Sequence, residues 1–146
     1  MSLIEVLLTI LLIAIIIGSG ILIGGYLREG NIEEQLYYSN LLIQLARQEA
    51  LLNKRTVQLQ IEAGLPAKYK IFYLDNNYSE VYIKKGEFQK KYDLVDSDSN
   101  LIINGDSIIL YFSEYLGSTT QTIGWRNNKN EAFLIVNNRG RVRFEF

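Results

Sequence analysis

The first 27 residues of the chain are almost wholly apolar, and they restrict what the chain can fold into more than any other segment. Roughly 18 such residues are enough to span a bilayer as a helix. Glu5 lies near the start of this segment, and the first basic side chain is that of Arg28. A lone carboxylate in hydrocarbon costs several kcal/mol unless it is neutralised or paired. We therefore expect Glu5 to meet an α-amino group, either that of Met1 or that of a neighbouring copy.

Two ordinary kinds of apolar segment fit this sequence less well. A secretory signal peptide has a basic region before its apolar core and a small-residue cleavage site after it. Nothing basic precedes the segment here, and an amphipathic pattern follows it. A plain single-span anchor explains the length of the segment but not the placement of Glu5 so close to the first residue. The plain anchor is the main alternative interpretation.

The start of the chain resembles the N-terminal segment of mature type IV pilins and pseudopilins. In that family a hydrophobic residue, then Ser or Thr, Leu, Ile or Leu, and Glu open a long apolar helix. Ser2, Leu3, Ile4 and Glu5 match this pattern position by position. The usual first residue is Phe, so either Met1 replaces it in the mature chain or Met1 is not native. The resemblance implies subunit assembly through Met1 and Glu5, and methylation of the N-terminus at Met1.

The resemblance also implies where the protein acts and what it binds. Prepilin peptidase would remove a short basic leader from the precursor, and the cell (inner) membrane would hold the subunit as a single-pass protein before assembly. Other pilin or pseudopilin subunits would then pack through the apolar helix, in an extracellular pilus or in a periplasmic or cell-wall pseudopilus. Residues 1–27 are expected to form the transmembrane segment and filament core, and residues 28–146 the globular domain.

Two periodicities describe the rest of the chain. From Arg28 to Lys54, apolar residues recur at near-helical spacing, which predicts one helix from residue 2 or 3 to about residue 53. Alternating patterns and polar turns then predict closely spaced antiparallel strands. These strands are Thr56–Glu62, Tyr69–Leu74, Glu80–Ile83, Ser107–Phe112, Ile123–Trp125, Ala132–Val136 and Val142–Phe146. The expected fold class is α+β, and the resemblance makes it pilin-like: one long N-terminal α-helix packed on an antiparallel β-sheet.

The composition argues against most enzyme classes. There is no Cys and no His, so the chain lacks thiol metal ligands, disulfides and the commonest general base. No Ser, Thr or Lys has an evident base beside it. With 15 basic and 16 acidic residues, the chain as a whole is not attracted to nucleic acid or to acidic membranes. We expect no catalytic residue, no cofactor and no metal site.

A narrower resemblance begins at Leu45–Glu62, where the sequence reads LARQEALLNKRTVQLQIE. A helix that ends in Ala-Arg-x-Glu-Ala, followed by a short basic link and a strand beginning with Val, is similar to the GspH/FimT group of minor pilins and pseudopilins. The matching residues are Ala46, Arg47, Glu49, Ala50, Lys54, Arg55 and Val57. In this group a final hairpin carries Gly-Arg in its turn and a basic residue after it, as residues 137–144 do here.

The C-terminal region carries a cluster of cations on this near-neutral chain. Glu131 is the only acidic residue within the stretch that contains them. The five cations are Arg126, Lys129, Arg139, Arg141 and Arg143. Arg141 and Arg143 should share one strand face, because alternate residues do. The cluster predicts a local positive patch, and Arg side chains can bind phosphate through two oxygens at a time.

In FimT-type proteins, a Gly-Arg-x-Arg motif at this place is associated with DNA binding during natural transformation. The resemblance therefore implies a site for double-stranded DNA at Arg139, Gly140, Arg141 and Arg143. The alternative is that these cations pair with carboxylates on a neighbouring subunit or strand. The candidate carboxylates are Asp93, Asp96, Asp98 and Glu114.

The sequence and its resemblances together favour a non-catalytic minor pilin or pseudopilin that assembles into a type IV pilus or a type II secretion-type filament. DNA binding for uptake through the C-terminal motif is the finer hypothesis. The alternative function is that of a major structural pilin subunit of a type IV pilus.

Two further patterns have ordinary explanations. Residues 96–100 open like a calcium loop, but Leu101 stands where such a loop needs Gly and Ser107 where it needs Glu. An acidic, solvated loop is the better interpretation. Trp125 could stack on a nucleic-acid base, but a Trp at such a position is more often part of a core.

Overall fold

Helix α1 (Ile32–Asn53) comes first in the computed structural model, which describes residues 32–88, 92–114, 120–128 and 130–146. The helix ends where Lys54 adopts a left-handed backbone conformation, with φ of 48°. The Arg55 N–H donates to the carbonyl of Ala50 at 3.3 Å, so one of the last free carbonyls of the helix is satisfied. The predicted helix end near residue 53 is confirmed. The predicted first half of the helix lies outside the described residues.

One face of α1 is buried along its whole length. The buried apolar residues on this face are Ile32, Leu36, Leu42, Ile43, Ala46 and Ala50. Their spacing of three, four and seven residues is that of one helix face, as the sequence pattern predicts. Leu52 belongs to the same apolar pattern in sequence, but it lies in the last turn of the helix and is 69% exposed.

Eight strands follow the helix and form two four-stranded antiparallel sheets rather than the one sheet expected. The strands are β1 (Val57–Glu62), β2 (Lys68–Leu74), β3 (Glu80–Glu87), β4 (Asp93–Val95), β5 (Ser107–Phe112), β6 (Gln121–Arg126), β7 (Glu131–Val136) and β8 (Val142–Glu145). The first sheet has the order β3-β2-β1-β5 and the second the order β4-β6-β7-β8. Seven of these strands were predicted, and β4 was not.

Both sheets bury their inward side chains against α1, which contacts β1 and β5 of the first sheet and β6 and β7 of the second. In β1, Val57, Leu59 and Ile61 are buried while the residues between them are not, so the predicted alternation is confirmed. In β7 the buried positions are Ala132, Leu134 and Val136. Residues from Ile32 to the C-terminus form one compact unit around this core.

A buried hydrogen-bonded pair links α1 to the second sheet. Trp125 is fully buried, and its indole N–H donates to the hydroxyl of Ser39 at 3.0 Å. The Ser39 hydroxyl in turn donates to the carbonyl of Gln35 at 2.9 Å. The Phe88 ring lies edge-on to the indole, with the ring centres 4.7 Å apart. Trp125 is therefore a core residue, and stacking of its ring on a base is ruled out in this fold.

A second aromatic contact links α1 to the first sheet. The hydroxyls of Tyr38 and Tyr69 lie 2.7 Å apart and share a hydrogen bond. Burial raises the pKa of Tyr69 to about 12, with the hydrogen bond to Tyr38 as the next cause. Gly86 is needed opposite this ring, because a Cβ atom there would lie 2.7 Å from the Tyr69 hydroxyl.

Ser39→Ala tests the buried link between the helix and the second sheet. The substitution leaves the buried indole N–H of Trp125 without its acceptor, so we expect a loss of about 1–3 kcal/mol in the free energy of unfolding. Urea unfolding, followed by far-UV circular dichroism so that variants without Trp125 can be compared, measures this loss. Ser97→Ala, in an exposed loop, is the control and should be near neutral. In a Trp125→Phe background the cost of Ser39→Ala should shrink, and an equal cost in both backgrounds would contradict the assignment.

Candidate functional site: the C-terminal hairpin and helix α1

The turn between β7 and β8 carries three of the four predicted DNA-binding residues. The Asn137 side-chain oxygen accepts the backbone N–H groups of Arg139 and Arg141, each at 2.9 Å. The Gly140 N–H donates to the carbonyl of Asn137 at 2.8 Å, and the Asn137 N–H donates to that of Arg141 at 3.0 Å. Gly140 has a φ of +70°. The backbone around Arg139 and Arg141 is therefore fixed by the turn itself.

The loop between β2 and β3 has the same turn with different side chains. The Asp75 carboxylate accepts the N–H groups of Asn77 and Ser79 at 2.8 and 2.9 Å. Asp75 and Ser79 close the turn through a backbone hydrogen bond of 3.0 Å. Tyr78 occupies the place of Gly140, with a φ of 61° and 85% of its surface exposed.

The loop at residues 96–100 is a third copy of this turn, and it explains the calcium-like spacing. The Asp96 carboxylate accepts the N–H groups of Asp98 and Asn100 at 2.8 and 2.9 Å, and Ser99 has the left-handed φ of 62°. The backbone N–H of Asn100 is the main reason that the pKa of Asp96 lies below its usual value. Among the described residues, no group of acidic side chains has the arrangement of a metal site.

Helix α1 reaches the C-terminal turn through Arg47. Its Nη1 lies 3.5 Å from the carbonyl oxygen of Gly140, and a Cβ atom added to Gly140 would lie 3.3 Å from the Arg47 Cδ. Further along β8, the rings of Phe144 and Tyr37 pack with their centres 5.4 Å apart. The hairpin therefore lies along the helix, and the two sequence motifs that carried the narrower resemblance meet at Arg47 and Gly140.

The side chains of β8 divide between the core and solvent as predicted. Val142 and Phe144 are half-buried against the core, whereas Arg141, Arg143 and Glu145 are exposed on the opposite face. Arg143 forms an ion pair with Glu145, an acidic residue just beyond the predicted cluster. Within the described part of the chain, no ion pair involves Arg139 or Arg141.

The predicted five-residue cluster is not one patch. Arg126 lies at the β6–β7 end of the second sheet, opposite Glu131 in the strand register, and forms an ion pair with it at 3.2 Å. Gly140 lies at the other end of β7, roughly 16–20 Å away by the length of a six-residue strand. The prediction grouped Arg126 with the turn because the two are close in sequence. The chain between them is an extended strand, which separates them in space. Lys129 lies outside the described residues.

The alternative partners that the sequence offered are placed elsewhere. Asp93 lies opposite Arg126 across the β4–β6 pair, but Arg126 pairs with Glu131 and also donates to the carbonyl of Ser99 at 3.2 Å. The carboxylate of Asp96 is occupied by its own turn. Pairing of the turn cations with any of these four carboxylates of another subunit remains a prediction.

The predicted assembly residues Met1 and Glu5 lie outside the described residues, as does the apolar segment 1–27. Over the part of the chain that is described, no helix is long and apolar enough to cross a membrane. The membrane span therefore remains a prediction from the sequence.

Comparison with solved structures identifies the fold. A crystal structure of the type IV minor pilin FimU of Pseudomonas aeruginosa matches with a TM-score of 0.55, over 77% of this chain and 87% of that chain, at 18% sequence identity. The chain has the type IV pilin fold. The predicted α+β pilin-like architecture is thereby confirmed. No protein family model matches the chain, and neither does any curated protein sequence.

Sequence reasoning named Arg47 as part of a motif but did not place it at the site. The pilin fold brings it to Gly140 although 93 residues separate the two along the chain. The available signal was the joint occurrence of Ala-Arg-x-Glu-Ala and Gly-Arg-x-Arg in one sequence. Nothing in the spacing of either motif shows that they touch.

Substitutions at the left-handed positions of these turns test how much each turn depends on glycine. Tyr78→Gly should stabilise the protein by about 0.5–1 kcal/mol, because glycine adopts this conformation without a clash at Cβ. Gly140→Ala should destabilise it by more than about 1 kcal/mol, since it adds both that clash and the contact with Arg47. Urea unfolding measures both changes. Tyr78→Ala, which removes the ring but keeps a Cβ, is the control, and an equal gain from Ala and Gly would contradict the explanation.

Proposed function

We propose that this chain is a non-catalytic minor pilin or pseudopilin that assembles through its N-terminal helix into a type IV pilus or type II secretion-type filament. One observation carries the proposal: a globular unit with the type IV pilin fold follows an apolar segment whose residues 2–5 are Ser-Leu-Ile-Glu. An isolated helix with such a first half would have to bury it in a membrane or among copies of itself.

The proposed life cycle combines the physical properties of that segment with what the resemblance to type IV pilins implies. Before assembly, residues 1–27 hold the subunit in the membrane as a single span, because insertion of such a helix is effectively irreversible. Prepilin peptidase processes the precursor, and Met1 receives the N-terminal methyl group. After assembly, the apolar segments of neighbouring subunits bundle in the centre of an extracellular pilus or a periplasmic or cell-wall pseudopilus.

Glu5 sets the axial register in this proposal. A carboxylate inside a dry bundle is costly unless a cation compensates it, and the terminal amine of an adjacent subunit is the nearest candidate. A subunit that is shifted along the axis leaves both charges unpaired, so the aligned arrangement is favoured over its competitors.

Glu5→Ala tests the assembly proposal. Removal of one partner from a buried ion pair costs about 3–5 kcal/mol, so we expect incorporation into sheared filaments to fall roughly tenfold or more. The unfolding transition of the globular unit should not change. Immunoblots of filament and membrane fractions give the measurement. Thr9→Ala, which removes a neutral polar group from the same segment, should assemble normally.

Normal incorporation of the Glu5→Ala protein would overturn the role of Glu5. The abundance of the subunit in the same filament fractions addresses the alternative that it is a major structural pilin. A minor subunit should be a small fraction of the filament protein, whereas a major subunit should be the bulk of it.

We further propose that the C-terminal turn binds double-stranded DNA. Arg139 and Arg141 support this finer function, because the turn fixes their backbone, both side chains are exposed, and no described carboxylate pairs with them. Exposed, unpaired guanidinium groups on a fixed backbone suit phosphate, which they can bind through two oxygens. Gly140 contributes the turn, and Arg143 contributes less than its neighbours, since Glu145 already neutralises it.

Substitution of the turn arginines tests the DNA proposal. With the full-length chain in non-ionic detergent, Arg139→Ala/Arg141→Ala should weaken binding to a DNA duplex. It should also reduce the slope of log affinity against log salt by roughly 2, since each phosphate contact adds about 0.9 to that slope. Fluorescence anisotropy at several salt concentrations measures both quantities. Arg126→Ala/Lys68→Ala, which removes the same number of cations away from the turn, is the charge-matched control and should leave both unchanged. Equal loss from the control and the turn variant would contradict a site at the turn.

A further inference from the structure

We propose that Arg47 of helix α1 is a phosphate-binding residue of the same surface as Arg139 and Arg141, and that position 140 is glycine so that Arg47 can lie against the turn. The inference rests on the proposed DNA role of the hairpin and adds to it a residue from the other end of the described chain. Two independent observations carry it: the comparison of the three turns, and the contacts of the Arg47 side chain.

The three related turns show that the backbone conformation alone does not require glycine. Tyr78 and Ser99 adopt φ values of 61° and 62° at the position that Gly140 occupies with 70°. What distinguishes Gly140 is its surroundings, since a Cβ atom there would lie 3.3 Å from the Arg47 Cδ and 3.4 Å from its Nε. A Cβ atom at position 140 would crowd the Arg47 Cδ, and the Arg47 side chain would have to shift by a few tenths of an ångström. Glycine is therefore explained by the approach of Arg47.

The contacts of Arg47 leave most of its hydrogen-bonding capacity free for a ligand. A guanidinium carries five N–H donors in a planar fork. Among the described residues, the polar contact of this group is the long one of 3.5 Å from Nη1 to the Gly140 carbonyl oxygen, and no carboxylate lies within ion-pair distance of it. Its stem is half-buried against the turn, so less side-chain freedom is lost when the guanidinium binds a ligand.

The placement of Arg47 puts three cations around one turn. The carbon at the centre of the Arg47 guanidinium would lie 3.5 Å from a Cβ atom on Gly140, and Arg139 and Arg141 are the residues on either side of that glycine. Duplex DNA carries one negative charge per about 1.7 Å of its axis, so three guanidinium groups within one turn can meet neighbouring phosphates of one backbone. The ligand that fits this arrangement is the phosphate backbone of a duplex, read without regard to base sequence.

The salt dependence of DNA binding separates a phosphate contact from a structural role. With the full-length chain in non-ionic detergent and a fluorescent duplex, Arg47→Ala should raise Kd roughly tenfold at low salt and reduce the salt slope by roughly 1. Arg47→Lys keeps the charge and should restore the slope, although it lacks the planar fork. Arg55→Ala is the matched control and should leave the slope unchanged. Arg55 follows the same helix, and its guanidinium lies over the ring of Tyr73.

Gly140→Asn tests the reason for glycine. Asn tolerates a left-handed backbone, so the turn should persist while the added side chain displaces Arg47. We expect the same loss of slope as for Arg47→Ala, and the double variant Arg47→Ala/Gly140→Asn should bind no more weakly than either single variant.

The outcomes distinguish this inference from the function on which it rests. Binding by the wild-type chain, with Kd and slope unchanged in Arg47→Ala, would overturn the inference and leave the hairpin site intact. Weaker binding at an unchanged slope would show that Arg47 only supports the turn, and it would also overturn the assignment. A wild-type chain that does not bind duplex DNA would overturn both proposals.

Discussion

Helix α1 buries one face against both sheets, and every other feature of the globular unit depends on that shared burial. Three of the fully buried residues on this face are small: Ser39, Ala46 and Ala50 lie on one side of the helix. Small side chains let the strands of both sheets approach the helix backbone closely, and the large side chain of Trp125 lies beside Ser39. The hydrogen bond from the Trp125 indole to Ser39 fixes the orientation of the indole ring relative to the helix, which apolar packing alone does not do.

The same arrangement places the C-terminal hairpin. Strand β8 is the edge of the second sheet, and it is held against α1 by the Phe144–Tyr37 ring contact near its end and by Arg47 at its turn. The functional candidates at the turn are thus positioned by the helix and not by the hairpin alone. Helix α1 begins at Ile32, shortly after the apolar segment 1–27, so the helix that positions the turn is close in sequence to the proposed assembly element.

Local sequence patterns predicted the helix end and most strands of this fold, but they did not predict which strands pair with each other. The alternation in β1 and the helical spacing in α1 depend only on which face of an element is buried, so the sequence carries them directly. Strand β4 was missed because three residues are too few to show a period. The division into two sheets was missed because alternation does not say which strands pair. The cation cluster was wrong for a related reason: Arg126 and Gly140 are close in sequence, yet β7 separates them by its full length, whereas Arg47 and Gly140 are far apart in sequence and touch.

The positive surface is confined to one turn, and this limits the distance over which its electrostatic field acts. The chain has a net charge of −1, and two of the C-terminal arginines, Arg126 and Arg143, are already paired with glutamates. The proposed attraction for DNA would therefore come from the few cations at one turn, and at physiological ionic strength their field falls off within about 8 Å. A single subunit of this kind cannot steer DNA from a distance. Binding of useful strength would come from contact at the turn itself, or from several turns presented side by side on one filament, where each additional contact acts at a high effective concentration.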